Sequence, residues 1–383
     1  MRILHVAQPQ TGGVARYVLA AVADQRARGW AVTVACPDGA LAESLDAAGI
    51  PRMCWPAGRS PGRGLVEESR ALREILDAVD PELVHLHSAK AGLVGRLVIR
   101  AGLPTLFQPH GWSWHAAPVA APARIWERVA CRWTSRLICV SEGEAVEAAA
   151  AGLRLPPTVV RNGVDRNAFP VQSRAARNAA RLARDIPLDQ PVVLCPGRIT
   201  RQKGQDLLLA AWPLVLDRCP RARLILLGAG DLAEQLHAMA PRGTQFVAEV
   251  ADVRPWYALA DLVVLPSRWE GLPLTALEAF ASGRAVVANA VPGLREVLDS
   301  RCGAGVPPGD RCALAEAIAT RITDRSRTEA EGRYAVAHVA GMDLKRTLDR
   351  LAAVTEETLG SSRAVRAGAR AARGTAAAAG SDA

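Results

Sequence analysis

The sequence predicts an α/β protein with two doubly wound parallel sheets, and three observations carry this prediction. Short apolar runs of strand length alternate with longer stretches of helical periodicity along most of the chain, which is typical of parallel sheets covered by helices. The length of 383 residues fits two domains at ~150 residues each. The alternation pauses in the polar, arginine-rich stretch 166–189 and then restarts, so we expect a linker there.

These observations divide the chain into four segments. We expect an N-terminal domain over residues 1–166 and a C-terminal domain over 185–340. A helix over 341–359 follows, which can pack back on the N-terminal domain. Residues 360–383 are low-complexity Ala, Gly, Arg and Ser, and we expect them to be disordered because they offer too little apolar surface for a core.

In the N-terminal domain, short apolar runs predict strands and longer amphipathic stretches predict helices. The strands are predicted over 2–7, 30–36, 83–87, 105–108, 137–142 and 158–160. The helices are predicted over 14–28, 41–48, 66–79 and 123–136, with one more that ends at residue 101.

The C-terminal domain repeats the same alternation. Its strands are predicted over 192–195, 223–228, 244–247, 261–265 and 285–288. Its helices are predicted over 205–216, 253–260, 274–282 and 312–321, and most of 329–359 is also expected to be helical.

Composition and charge exclude several classes of protein. The net charge of +9 is spread along the chain, without the basic run and interleaved aromatics of a nucleic-acid surface. A mild positive bias suits anionic substrates or an anionic membrane face. No apolar run is long enough to span a bilayer. Met1–Ala7 reads as a strand rather than a signal peptide, because Gln8 ends the apolar run early.

The cysteines indicate a reducing, cytoplasmic environment. The chain has eight of them, scattered and without Cys-x-x-Cys spacing, so each reads as a buried or incidental thiol. We expect no metal site.

One stretch of the C-terminal domain carries the strongest chemical signal. The apolar run 261–265 leads into a break at Gly271 and Pro273, after which a helix begins. The backbone N–H groups of such a helix N-terminus favour an anion. Glu270 and Glu278 flank this turn and are separated by seven residues. Two carboxylates around a phosphate-binding turn suit a ligand with both phosphates and hydroxyls, such as a sugar nucleotide.

A second motif, Gly197-Arg198-x-x-x-x-Lys203-Gly204, follows the first strand of the same domain. Arg198 can hold two phosphate oxygens through its planar fork, and Lys203 supplies a compact charge. Alone, this motif would read as an ordinary basic loop. Only three of the 47 basic residues are lysine, so a lysine retained at this position favours a binding site.

The N-terminal domain has two weaker signals at strand ends. Gly12 and Gly13 stand between the first strand and helix, where glycine lets backbone approach a ligand. The segments 87–96 and 109–115 place His110 at the carboxyl end of a strand, where open α/β sheets bind ligands. A lone histidine is more often structural, but its position favours a role at the ligand.

Together these motifs resemble the retaining GT-B glycosyltransferases of family 4. The resemblance rests on Glu-x7-Glu at 270–278, on Gly-Arg…Lys-Gly at 197–204, and on Asn-Gly-Val-Asp at 162–165. The patterns His-Ser-x-Lys-Ala-Gly and Pro-His-Gly at 87–92 and 109–111 resemble the bacterial polysaccharide-building members. The family fold is GT-B, two doubly wound Rossmann-like domains facing a deep cleft.

The resemblance implies a hexosyltransferase that retains the anomeric configuration and takes a UDP- or GDP-sugar as donor. It implies no metal and no other cofactor, because basic side chains neutralise the leaving diphosphate. It assigns catalytic roles to His110, Arg198, Lys203 and Glu270. It also assigns donor binding to Gly12, Gly13, Arg198, Lys203, Val250, Glu270, Gly271, Leu272, Pro273 and Glu278. Ala248 stands where family members often have Gly, which leaves the base preference open between uracil and guanine.

The acceptor implied by the polysaccharide-type patterns is a lipid-linked glycan at the cytoplasmic membrane face. Arg16, Arg59 and Lys90 are the candidate acceptor-side residues. The loop that carries Arg59 also reads as a plain exposed linker. Arg124, Arg128, Arg132 and Arg136 fall four apart on the predicted helix 123–136. They form either a solvated face opposite a tryptophan-lined core face or a contact with anionic lipid.

Three alternatives remain at this stage. The first is a glycosyltransferase of a soluble natural product, which shares the donor site and differs in the acceptor domain. The second is a catalytically idle GT-B scaffold, against which the intact Arg198, Lys203, Glu270 and Glu278 argue. The third is an epimerase that acts on a sugar nucleotide.

Overall fold

The structure, a computed structural model, describes residues 1–58, 64–117 and 119–379. The chain divides into two compact units. The first comprises Met1–Cys139, Ala145–Val160 and the chain from Leu348 onward, and the second comprises Val140–Glu144 and Arg161–Thr347. Each unit is built around its own parallel sheet.

The first unit contains a seven-stranded sheet in the order β3-β2-β1-β4-β5-β6-β7. All neighbouring strands pair in parallel. The direction of winding reverses between β1 and β4, which are neighbours in the sheet. The strands are β1 (Arg2–Ala7), β2 (Ala31–Cys36), β3 (Arg52–Cys54), β4 (Leu83–His87), β5 (Thr105–Gln108), β6 (Arg136–Cys139) and β7 (Pro157–Val159).

The second unit contains a six-stranded sheet in the order β10-β9-β8-β11-β12-β13, again all parallel. Here the winding reverses between β8 and β11. The strands are β8 (Val192–Pro196), β9 (Arg223–Leu227), β10 (Thr244–Val247), β11 (Leu262–Leu265), β12 (Ala285–Asn289) and β13 (Gly303–Val306). The two sheets confirm the predicted α/β class with two doubly wound, Rossmann-like units.

Helices connect the strands in both units. The first seven are α1 (Gly12–Ala27), α2 (Ala40–Ala47), α3 (Leu65–Val79), α4 (Ser88–Ile99), α5 (Ser113–Ala116), α6 (Ala120–Ala130) and α7 (Glu142–Ala150). The others are α8 (Arg174–Leu182), α9 (Gln205–Arg218), α10 (Ala233–Ala238), α11 (Arg254–Leu259), α12 (Leu274–Ala281), α13 (Pro292–Arg295), α14 (Arg311–Thr323), α15 (Arg325–His338) and α16 (Leu344–Ala379). Short 3₁₀ turns lie at Cys131–Trp133 and Val339–Gly341.

The strongest predictions came from strands that are buried on both faces. Strands β8, β11 and β12 are buried along their whole length. Such strands read as continuous apolar runs, because helices cover both sides of a parallel sheet. Each buried Val or Leu contributes about 1.5–3 kcal/mol relative to an exposed one, so these runs hold the ends of β8 and β11 in fixed positions.

The predicted linker differs from the structure. Helix α8 lies within the stretch 166–189, and Arg161–Thr347 belong to the second unit. The physical reason is a carboxylate 80 residues or more away in sequence. Asp261 accepts hydrogen bonds from Arg177 at 2.8 Å and from Arg181 at 2.7 Å, so ion pairs anchor this polar helix, and Ala180 adds an apolar contact with the main core cluster.

The C-terminal helix belongs to the first unit from Leu348 onward. Leu351, Val354 and Leu359 are buried in one cluster with Ile3 and Tyr17. The helix runs on to Ala379, whereas the sequence predicted a disordered tail from residue 360. Alanine is the best helix former, and the alanine-rich composition favours continuation of a helix that is already anchored.

Helix α6 is shorter than predicted, so the four arginines do not all lie on one helix face. It ends at Ala130, a 3₁₀ turn follows, and Arg136 is the first residue of β6. The backbone N–H of Ser135 already donates to the carbonyl of Thr105 at 2.8 Å, so sheet pairing ends the helical segment. Among the described helices, none combines the length and apolarity needed to cross a bilayer.

Candidate functional site

In the second unit, the candidate residues lie where the winding of the sheet reverses. Strand β8 ends in the loop 197–204 and the adjacent strand β11 ends in the loop 266–273. Ligands of open α/β sheets bind outside the carboxyl ends of the strands at such a switch point. The fold therefore brings together the two motifs that the sequence placed 67 residues apart, as measured from Lys203 to Glu270.

An ion pair joins these two loops. Nζ of Lys203 lies 2.6 Å from Oε1 of Glu270, and the two side chains are 16% and 7% exposed. The hydroxyl of Ser267 donates to the same carboxylate oxygen at 2.7 Å. Charge-assisted hydrogen bonds of this length are among the strongest in proteins. Both charges are therefore held in place, and both side chains keep some exposure to solvent.

Arg198 is half-buried on the neighbouring part of the loop, with Nη2 3.4 Å from Oε1 of Gln202. Its own carbonyl accepts a hydrogen bond from Nε2 of Gln205 at 2.9 Å, which fixes the backbone of the loop. Gly204 ends the loop with φ +68°, and a Cβ there would lie 2.2 Å from the carbonyl oxygen of Pro266. Only glycine allows this approach, so Gly204 brings the two loops together.

Further contacts fasten the two loops. Arg268 donates through both terminal nitrogens to the carboxylate of Asp206, at 2.7 and 2.6 Å. This guanidinium lowers the pKa of Asp206. The side-chain amide of Asn289 donates to the carbonyl of Pro266 at 2.7 Å. The positions of Lys203 and Glu270 are thus set by a supporting network that the sequence did not reveal.

Glu278 lies on α12, and its side chain is not part of a solvated helix face. The residue is 3% exposed, and its Oε2 accepts a hydrogen bond from the hydroxyl of Tyr257 at 2.9 Å. A buried carboxylate needs such partners because its desolvation is costly. Glu278 is therefore a buried, hydrogen-bonded carboxylate rather than a surface glutamate.

The remaining predicted residues of this unit lie around the start of α12 and at the end of β10. Gly271, Leu272 and Pro273 are buried, and α12 begins at Leu274. The carbonyl of Leu272 accepts from the side-chain amide of Asn162 at 2.7 Å. Val250 is half-buried beyond β10 and packs against the main core cluster.

In the first unit, Gly12 and Gly13 form the first turn of α1, two residues earlier than the predicted helix start. Arg16 follows on the exposed side of the same helix. Arg59 lies outside the described residues. Gly12, Gly13 and Arg16 therefore follow β1 at the carboxyl edge of the first sheet.

Lys90 is placed differently from the expected anion-binding side chain. Its Nζ lies 2.7 Å from Oε2 of Glu68, and the two side chains are 4% and 3% exposed. Oε1 of the same glutamate accepts from the backbone N–H of Gly58 at 2.9 Å. The charge of Lys90 is balanced inside the unit, so Lys90 holds Glu68, and through it the backbone at Gly58, rather than presenting a cation to solvent.

His110 follows β5 in a strained backbone conformation. Its φ is +53°, and Ser88, directly after β4, has φ +73°. A positive φ is energetically unfavourable for a non-glycine residue, and residues with such angles cluster at functional sites. His110 is half-buried, and its Nε2 lies 3.1 Å from Nδ1 of His87. Burial lowers the pKa of His110 to about 3, so its imidazole is neutral at physiological pH.

Sequence reasoning missed a histidine cluster beneath His110. His5, His85 and His87 are completely buried, and one ring nitrogen of each lies within 4.8 Å of one ring nitrogen of each of the other two. Desolvation lowers the pKa of His5 to about 4 and lowers the pKa values of His85 and His87 well below normal. The period-two spacing of His85 and His87 was a visible signal, but the proximity of His5 depends on strand order.

Three neighbouring imidazoles could in principle hold a metal ion. Two nitrogens on one tetrahedral zinc would stand about 3.4 Å apart, given zinc–nitrogen bonds of about 2.05 Å. Nδ1 of His5 and Nε2 of His87 are 2.9 Å apart, which is a hydrogen-bond distance. The arrangement therefore fits a hydrogen-bonded cluster better than a set of metal ligands.

Comparison with known proteins identifies the family. The family described as Glycosyltransferase Family 4 matches residues 11–168, and that described as Glycosyl transferases group 1 matches residues 190–324. D-inositol 3-phosphate glycosyltransferase 1 of Catenulispora acidiphila is 33% identical over 303 residues, 72% of this chain and 72% of that protein. The GDP-mannose-dependent alpha-(1-6)-phosphatidylinositol monomannoside mannosyltransferase of Mycolicibacterium smegmatis is 30% identical over 352 residues, 85% of this chain and 89% of that protein.

Solved structures agree on the fold. Anabaena Alr3699/HepE in complex with UDP and glucose matches with a TM-score of 0.81 at 23% identity, over 93% of this chain and 99% of that one. Sucrose-phosphate synthase of Thermosynechococcus elongatus matches with a TM-score of 0.79 at 21% identity, over 94% and 99%. The fold is GT-B, and the chain belongs to the group 1, family 4 glycosyltransferases.

Proposed function

We propose that this glycosyltransferase moves a hexose from a UDP- or GDP-sugar to an acceptor hydroxyl with retention of the anomeric configuration. The observation that carries the proposal is the Lys203–Glu270 contact of 2.6 Å at the switch point of the second sheet. It sets a cation for a diphosphate beside an anion for sugar hydroxyls, which is the pairing that a sugar nucleotide requires.

The basic groups are suited to the leaving diphosphate. Negative charge on the diphosphate grows as the bond to the sugar breaks, so fixed cations stabilise the transition state more than the ground state. Arg198 can bind two oxygens through its fork, and Lys203 is already oriented by Glu270. The N-terminus of α12 adds its dipole.

The carboxylates are suited to hydroxyl groups. Glu278 keeps acceptor capacity beyond its bond from Tyr257, because a carboxylate has about four lone-pair sites, and we assign it to the ribose hydroxyls. Glu270 is assigned to the transferred sugar. His110 is assigned to the sugar and the acceptor, and Gly12 and Gly13 to the diphosphate.

Retention follows, in this proposal, from a front-face displacement in which the leaving phosphate helps to deprotonate the acceptor hydroxyl. The cations Arg198 and Lys203 take the role that a divalent ion would otherwise play, so the reaction needs no metal. Transfer should be unchanged by excess EDTA, and proton NMR should find the same anomeric configuration in product and donor. An inverted product would refute the retaining mechanism.

We assign a lipid-linked glycan as acceptor and peripheral membrane attachment through α6. Val119 is 64% exposed and Ile125 57% exposed, next to the exposed Arg124, Arg128 and Arg132. Apolar and basic side chains together suit the interface of an anionic bilayer. Each Arg near such a surface contributes about 1 kcal/mol, which gives reversible attachment. A relative named for its phosphatidylinositol monomannoside substrate supports a lipid acceptor.

Two measurements test the proposal. In a thermal-shift screen, a UDP- or GDP-sugar at ~100 times its dissociation constant should stabilise the protein by roughly 2.7 kcal/mol. Co-sedimentation with anionic vesicles should weaken in high salt, because the Debye length falls from about 10 Å at 0.1 M to about 3 Å at 1 M. Efficient transfer to a soluble small molecule without vesicle binding would favour the natural-product enzyme instead.

A further inference from the structure

A line of hydrogen bonds runs from α1 through the first sheet to His110. Oε1 of Gln25 lies 2.8 Å from Nε2 of His5, and Nδ1 of His5 lies 2.9 Å from Nε2 of His87. Nδ1 of His87 then lies 3.1 Å from Nε2 of His110. We call these four side chains the histidine chain.

The parallel register of the sheet builds this line. His5 pairs with His85, and Ala7 pairs with His87, on the adjacent strands β1 and β4. Residues two apart on a strand share a face, so His5, His85 and His87 point to the same side. Helix α1 covers that side and buries Gln25 there. His5, His87 and Gln25 are at most 1% exposed, so water cannot replace a partner.

With Oε1 of Gln25 as the amide atom that faces His5, the position of each proton along the line follows. An amide oxygen only accepts, so Nε2–H of His5 must donate to Oε1 of Gln25. A neutral imidazole carries one proton, so Nδ1 of His5 must accept, and Nε2–H of His87 donates to it. By the same step, Nδ1 of His87 accepts from Nε2–H of His110. The low pKa values of the chain histidines agree with neutral rings throughout.

We propose that Gln25, His5 and His87 are positioning residues that hold His110 as the tautomer protonated at Nε2, with Nδ1 as a hydrogen-bond acceptor for a ligand hydroxyl. Within the described part of the chain, His110 bonds to His87 through Nε2, so Nδ1 is the ring nitrogen that is not used in the histidine chain. The inference rests on the proposed function for the identity of the ligand, although the tautomer itself does not depend on it.

The consequence is that His110 distinguishes a hydroxyl group from an ether oxygen. A group that can only accept binds a hydroxyl of the sugar or acceptor through the O–H of that hydroxyl, and rejects an ether oxygen at the same place. Methylation of the contacted hydroxyl should therefore weaken binding about tenfold, the effect of one lost hydrogen bond. The opposite tautomer, with Nδ1–H as donor, would bind both a hydroxyl and an ether oxygen.

Nitrogen-15 NMR of the ligand-free full chain, labelled at histidine, tests the inference directly. His110 should show a protonated Nε2 and an unprotonated Nδ1, assigned by the loss of its signals in His110→Asn. A protonated Nδ1, an even tautomer mixture, or stoichiometric zinc bound to the cluster would overturn the proposal. Because no substrate is added, a failed tautomer prediction is distinguishable from a failed assignment of the activity.

A matched pair of variants separates positioning from packing. Gln25→Leu removes the terminal acceptor, so His110 should lose its single tautomer, and kcat should fall about tenfold. His85→Gln is the control, because His85 is equally buried and its ring centroid lies 3.9 Å from that of His87, but it is not hydrogen-bonded to the histidine chain. An equal change of the His110 signals in both variants would overturn the proposal.

Discussion

The carboxyl edges of the two sheets use the same backbone arrangement for different chemistry. In each sheet the winding reverses between two adjacent strands, β1 and β4 or β8 and β11. The edge of the second sheet carries an ion pair between Lys203 and Glu270. The edge of the first sheet carries neutral imidazoles that bond to one another. The topology supplies the place for a ligand, and the side chains decide whether phosphate or hydroxyl groups suit it.

Two lysines sharpen the comparison. Lys90 and Lys203 each lie within 2.7 Å of a glutamate oxygen, but the first pair is 4% and 3% exposed while the second is 16% and 7% exposed. A pair sealed from solvent can only stabilise the structure around it. A partly exposed pair can also exchange part of its contacts for a ligand. Depth of burial, rather than residue type, therefore separates the structural lysine from the candidate site.

The largest expected effect is on stability, from breaking the sealed pair. Lys90→Met leaves the charge of Glu68 buried without its partner, which should cost about 3–5 kcal/mol. Urea unfolding monitored by circular dichroism measures the loss. The double variant Lys90→Met/Glu68→Gln is the control and should recover part of it. A single variant as stable as wild type would show that the pair has no structural role.

The next effect is on rate, from removing charge at the open edge. Lys203→Ala and Arg198→Ala should each slow transfer by about two orders of magnitude, or roughly 3 kcal/mol, because each removes a fixed cation from the leaving group. Both proteins should remain folded. Arg254→Ala removes an exposed arginine paired with Asp252 and should transfer normally. Wild-type rates in the two site variants would contradict the assigned roles.

The neutral edge predicts a pH effect on stability. Histidines whose folded pKa lies below the unfolded value of about 6.5 stabilise the fold above pH 6.5. That stability is lost as the pH falls towards their folded pKa values, about 4 for His5 and about 3 for His110. At pH 5.5 the loss should be about 1.4 kcal/mol per histidine.

Urea unfolding at pH 7.5 and pH 5.5 measures this difference. His5→Gln should reduce the difference by about 1.4 kcal/mol, the contribution of one such histidine. Equal stability of the wild type at both pH values would mean that these imidazoles can become charged inside the folded unit.

The smallest expected effect comes from the support of Glu278. Tyr257→Phe removes the hydroxyl that donates to Oε2 at 2.9 Å, which should cost about 1 kcal/mol. Calorimetry should then find donor affinity weakened about fivefold with little change in kcat. A fall in kcat with unchanged affinity would assign Glu278 to the reaction rather than to the ribose.

The sequence was informative where local pattern decides structure. Strands β11 and β12 were predicted within one residue of their observed bounds because they are continuous apolar runs. Helix α8 was missed because its anchor is Asp261, which is distant in sequence. The four-residue edge strand β13 also went unpredicted, since Gly303–Val306 contains only glycine, alanine and one valine.

The same division holds for the site. The glycines and charges of the loops 197–204 and 266–273 could be predicted because each motif is short and contiguous. The hydrogen bonds from Ser267, Tyr257 and Asn289 could not be predicted, because they depend on which strands and helices become neighbours. The burial of Lys90 likewise depends on Glu68, which lies on α3 rather than on its own helix.

Two glycines on α4 show that part of a sequence motif can serve packing rather than chemistry. A Cβ on Gly92 would lie 2.2 Å from a ring carbon of Phe107, and one on Gly95 would lie 2.4 Å from Leu86. These glycines allow the helix to pack closely against the sheet, and Lys90 beside them forms a buried ion pair with Glu68. The pattern 87–95 therefore serves the packing of α4 on the sheet. This role does not depend on the identity of the acceptor. Substitutions meant to alter ligand specificity should therefore leave Gly92 and Gly95 intact.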